Sequence, residues 1–105
     1  MSEFDKREEG FEQRFAVDEA LSFKALARRN KLLGLWLAEL LGRSDREAYA
    51  VELVADQVGV SDPDGLFKMM RTSLVQAGVD LSDNRIRRKM EEAMAQATDE
   101  IRAGR

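Results

Sequence analysis

Apolar residues recur along this chain at three- and four-residue intervals, broken by short stretches carrying glycine, serine, aspartate or the single proline. That period stacks side chains on one face of a helix, whereas no segment alternates with period two over strand length. A first helix is expected over about 19–41, starting near Asp18 or Glu19 and stopping at Gly42, with Phe23, Leu26, Leu33, Leu37 and Leu40 as its core stripe. Leu32, Leu35 and Trp36 spread apolar surface almost around its second half, so that half is either central to a bundle or in contact with a partner.

Three further helices follow. Ser44, three residues before Glu47, reads as a capping box opening a helix over 45–58, with Ala48, Val51, Ala55 and Val58 on one face and Gly59 as its end. Asp62 and Pro63 start a third helix over 63–77, lined by Leu66, Met70, Leu74 and Ala77 and closed by Gly78. Ser82 caps a fourth, over 83–103, whose Ile86, Met90, Ala93, Met94, Ala97 and Ile101 fall within an arc of about 100°. The expected fold is all-α: a four-helix bundle, residues 18–105, with short connections that favour antiparallel neighbours.

Residues 1–17 break the pattern. They hold five acids, three bases and three phenylalanines, Phe4, Phe11 and Phe15, which fall within about 40° of arc on a helix. The stripe is narrow, and Gly10 costs such a helix about 1 kcal/mol relative to alanine. A short isolated helix is marginal in water, so this segment is expected to be a mobile N-terminal arm, inducibly helical against a partner.

Composition narrows the function. The 105 residues leave room for one domain, and 44% apolar with 35% charged suits a helical globule with solvated outer faces. The absence of cysteine and histidine excludes disulfides, thiol and imidazole catalysis, and zinc sites built on those side chains. No carboxylates pair for acid–base work and no glycine-rich phosphate loop occurs, so the chain is not expected to be an enzyme. The start, MSEFDKREEGF, lacks the apolar core of a secretory signal, and no apolar run approaches the roughly 20 residues that span a bilayer. A soluble, cytoplasmic protein is expected.

A net charge of −3 gives no global pull toward nucleic acid, and no stacking aromatics interleave with the bases. Basic function would be local. Lys24, Arg28, Arg29 and Lys31 form one cluster, with no acid between Ala20 and Ala38, and Leu35 continues the face of Lys24, Arg28 and Lys31. Arg85, Arg87, Arg88 and Lys89 form a second in the first turns of the last helix, against a dipole that disfavours cations there by about 0.3–1 kcal/mol each. Such clusters bind phosphate groups or an acidic protein surface, or they are simply solvated faces. Trp36 fits a core and an interface equally well.

The segment from Ala27 through Arg28, Arg29, Asn30, Lys31, Leu32, Leu33, Gly34 and Leu35 to Trp36, then Ala38 to Gly42, resembles a signature of the zeta subunit of alphaproteobacterial ATP synthases. Asp80 to Asp83, then Ile86 to Met90, resemble its second signature, and Phe4-Asp5, Arg7-Glu8, Phe11-Glu12, Phe15-Ala16 and Asp18-Glu19 its N-terminal block. The likeness covers nearly the whole chain, in order.

The resemblance implies four helices with a mobile arm, and a regulatory protein that inhibits ATP hydrolysis by the F-type synthase while permitting synthesis. Its arm would insert between nucleotide-binding alpha and beta subunits of the soluble F1 head, becoming helical there, with the gamma subunit also a partner. Phe4, Phe11 and Phe15 would be the apolar anchors and Lys6, Arg7, Glu8 and Arg14 the polar contacts. No cofactor would be required, the free chain would be a monomer, and it would sit in the cytoplasm on the membrane-bound synthase. Two other readings stay open: the basic clusters bind ATP or ADP as a regulatory module, or the chain is a helical adaptor for another protein.

Overall fold

A computed structural model describes the backbone of residues 2–58, 60 and 62–105, and the side chains at those positions from Ala20 onward. Four helices follow in order: α1 (Ser2–Leu40), α2 (Arg46–Asp56), α3 (Pro63–Gln76) and α4 (Asp83–Arg102). The expected elements are all present. The main difference in bounds is that α1 begins at Ser2 rather than near residue 19. Residues 2–17 contain no proline and are mostly helix formers, so Gly10 weakens the helix without ending it. The mobility expected of residues 1–17, and the stop expected at Gly59, lie outside the described residues.

α1 is the hub. Its backbone packs closely against α2 and α4 and touches α3, while among the described residues α2 approaches α1 alone and α3 also meets α4. This resolves the apolar excess in its second half: Leu33 and Leu37 are fully buried, and Leu32, Trp36 and Leu40 pack partly buried around the same core. Leu53 from α2, Leu66, Phe67, Met70 and Leu74 from α3, and Ile86, Met90 and Ala93 from α4 complete it. Trp36 is thus a core-edge side chain. The stripes read for α3 and α4 hold, except that Ala77 is exposed and Phe67 joins the core.

Two further placements of core residues fail. Phe23, placed in the core stripe of α1, is 62% exposed. The buried face of α2 is Ala50 and Leu53, not Ala48, Val51, Ala55 and Val58, all of which are exposed. The reason is a close helix crossing. A Cβ built on Gly34 would lie 2.7 Å from Ala50 Cα and 3.3 Å from Leu53 Cδ2, so backbone meets backbone there and fixes which side of α2 turns inward.

The ends follow local chemistry. Gly42, at φ +71°, closes α1 in a Schellman arrangement, in which Arg43 N–H donates to Ala38 C=O at 3.0 Å and Gly42 N–H to Glu39 C=O at 3.1 Å. Ser82 Oγ accepts from Arg85 N–H at 3.2 Å, the expected cap of α4. The capping box at Ser44 does not form. Asp45 is the N-cap of α2, and its carboxylate takes both bonds of the Arg43 guanidinium at 2.8 Å rather than a backbone N–H.

Candidate functional site

The arm residues Phe4, Lys6, Arg7, Glu8, Phe11, Arg14 and Phe15 all lie on the backbone of α1, and their side chains are outside the described residues. The basic residues can be followed individually. Both sequence clusters are divided by the fold.

Lys24 is exposed. Arg28 turns toward the far end of α4, donating to Glu100 Oε1 at 3.0 Å and to the Arg105 carbonyl at 2.7 Å. Lys31 faces α2 instead, with Glu47 at 3.8 Å, an exposed pair of little energetic weight. Leu35 is half-buried beside them. Arg29 takes a third direction: its Nε and Nη2 donate to Asn30 Oδ1 at 3.1 and 3.0 Å. It meets no carboxylate among the described residues, and partial burial holds its guanidinium below the usual arginine pKa.

In α4, Arg87 stacks 4.1 Å above the Phe67 ring and has Asp64 at 3.8 Å. Arg85, Arg88 and Lys89 gather with Glu92 and Trp36 around a shallow notch of about 100 Å³, with Lys89 Nζ 5.9 Å from the Trp36 ring. The first-turn placement against the dipole is therefore partly offset by cation–π contacts.

Two features were not legible as sites in the sequence. Arg29 and Arg87, one from each cluster, line a common groove of about 290 Å³ with Pro63, Met90, Glu91 and Met94. Their spacing of 58 positions hides this, and only the docking of α1 on α4 brings them together. A second groove, between α1 and the end of α2, is apolar: Phe23, Leu26, Ala27, Asn30, Val54, Gln57, Val58 and Val60 line about 250 Å³. Its signal was Val58 and Val60 flanking a glycine, more apolar surface than an 11-residue α2 can bury against one neighbour.

Among the described residues no group of three or more carboxylates could hold a metal ion, and no helix is long and apolar enough to cross a membrane. None of the curated proteins matches the chain. The sequence model of the ATPase inhibitor subunit zeta family does, over residues 1–100, and so the four helices, the hub helix and the acid-and-phenylalanine segment at its start belong to a member of that family.

Proposed function

We propose that this chain inhibits ATP hydrolysis by the F-type ATP synthase by inserting the first part of α1, residues 1–17, at an interface between alpha and beta subunits of F1. The observation that carries the proposal is the continuity of α1. One helix runs from Ser2 into the buried layer of Leu33 and Leu37, so the arm is an extension of the core rather than an appendage on a linker. At 1.5 Å per residue, residues 2–17 reach about 24 Å. Such a helical extension can enter a cleft, with Phe4, Phe11 and Phe15 as anchors and Lys6, Arg7, Glu8 and Arg14 beside them, and so block rotation. The partners are then the alpha, beta and gamma subunits, and the location is the cytoplasmic side of the membrane-bound synthase. The protein regulates and does not itself catalyse.

The test is hydrolysis by cognate F1, titrated with the full chain and with a chain lacking residues 1–18. The expected result is inhibition by the full chain and none by the shortened one. Equal inhibition by both would move the mechanism to the helical domain.

A second reading is favoured by Arg29 and Arg87. Two guanidiniums lining one groove, one of them half-buried without a carboxylate, suit the phosphates of ATP or ADP. Titration with either nucleotide, followed by amide shifts, tests this. Shifts confined to the Arg29 and Arg87 surroundings support it, and an unchanged spectrum at millimolar nucleotide removes it.

A further inference from the structure

The apolar groove between α1 and α2 is the least explained surface of the fold. Phe23, Val58 and Val60, which a folded domain would ordinarily cover, are 62%, 64% and 48% exposed around it. Its floor carries one polar group. Asn30 is only 5% exposed, and its Oδ1 accepts both bonds from Arg29. Its Nδ2 has no hydrogen-bond partner among the described residues. Among the described residues no fully buried side-chain nitrogen or oxygen lacks a partner, and the groove is the opening that Asn30 lines. A side-chain amide donor without a described partner therefore belongs to a residue that lines this groove.

Size decides what fits. At about 250 Å³ the groove falls below the roughly 300–1,000 Å³ of small-molecule sites, and suits one or two large side chains. A second copy of the chain is a poor occupant. Phe23, Val58 and Val60 together offer roughly 300 Å², given about 150–250 Å² for a whole aromatic side chain, and a stable dimer buries about 800 Å² per partner. The groove is too small to be an interface alone and the right size to be one anchor point in a larger one.

The insertion face proposed above is on the same helix. Leu26 follows the Phe4, Phe11 and Phe15 stripe within about 20° of its edge, and Asn30 and Phe23 lie about 60–80° beyond that edge. Along the axis Phe23 is about 12 Å past Phe15. We propose that this groove is the second anchor of the inhibitor, receiving an apolar side chain of the ATPase whose neighbouring main-chain carbonyl accepts a hydrogen bond from Asn30 Nδ2. This rests on the inhibitory reading above, and deepens it. A well-packed pocket for one anchor, ringed by near-neutral contacts, is how binding energy concentrates in protein interfaces.

The experiment uses the full chain on cognate F1 and reads the concentration giving half-inhibition of hydrolysis. Val58→Lys charges the rim at an exposed position, and Asn30→Asp removes the donor while keeping an oxygen for Arg29. Val75→Lys, at a similarly exposed valine on α3, is the control. Thermal melts establish that each variant is folded. The expected result is that Val58→Lys and Asn30→Asp each raise the half-inhibition concentration about tenfold, while Val75→Lys leaves it unchanged. Wild-type inhibition equalled by both groove variants would overturn the anchor and leave the inhibitory reading standing. No inhibition by the wild type would overturn the reading itself. Sedimentation of the free chain as a dimer that Val58→Lys dissociates would assign the groove to a second copy, and so overturn the proposal.

Discussion

Gly34 is where α1 and α2 touch without side chains between them. Alanine in a helix interior is normally better than glycine by about 1 kcal/mol. Here its Cβ would come within 2.7 Å of Ala50 Cα, a backbone atom that cannot swing aside, and overpacking of that kind costs about 1–3 kcal/mol. The clash outweighs the gain: Gly34→Ala is expected to lower stability by up to about 2 kcal/mol in urea unfolding, against the trend for exposed helical glycines. The same contact explains why the inward face of α2 was misread, since the decisive residue stands on the other helix. Asp45 gives a second residue-scale expectation. The two bonds from Arg43 hold its carboxyl below the usual carboxylate range, so its contribution is present above the unfolded pKa and is lost as pH falls through the lower folded value. Carboxyl NMR titration should place its midpoint below the usual carboxylate range, and Arg43→Ala should raise it.

At the scale of elements, α4 was read nearly to the residue because 20 positions carry one apolar stripe, a serine cap and a closing glycine. α2 was not, because 11 residues with apolar side chains on several faces allow more than one inward side. Ser44 and Ser82 make the contrast measurable. Ser82→Ala removes a formed cap and should cost about 1 kcal/mol, whereas Ser44→Ala removes none and should change the melting midpoint little. In α1 the weak point is Gly10. Replacing it with alanine favours helix by up to about 1 kcal/mol, so Gly10→Ala is expected to lower the half-inhibition concentration of hydrolysis by up to about fivefold. An unchanged or higher value would separate inhibition from the helicity of the arm.

Across the molecule, what the sequence hid is what requires distant segments to meet. Arg28 and Glu100 are 72 positions apart, Arg29 and Arg87 58, and neither pairing has a local signature. Arg28 was read as part of a binding face, yet it ties α1 to the last turn of α4. Arg28→Met should cost about 1 kcal/mol and speed amide exchange at residues 100–105, with the α3 amides unaffected. The apolar groove was hidden for the opposite reason: its residues looked like ordinary core, and only the packing of α2 on a single neighbour leaves them uncovered.

The unbroken course of α1 has a mechanical meaning. A peg attached by a flexible tether can be pushed out of a cleft without disturbing what holds the tether. A peg that is itself the central beam of a folded domain passes any load down its axis into the layer of Leu33 and Leu37. Residues 18–32 are then a strut rather than a joint. On the insertion proposed above, torque on residues 2–17 would be resisted by the stiffness of the hydrogen-bond ladder and by the whole core behind it.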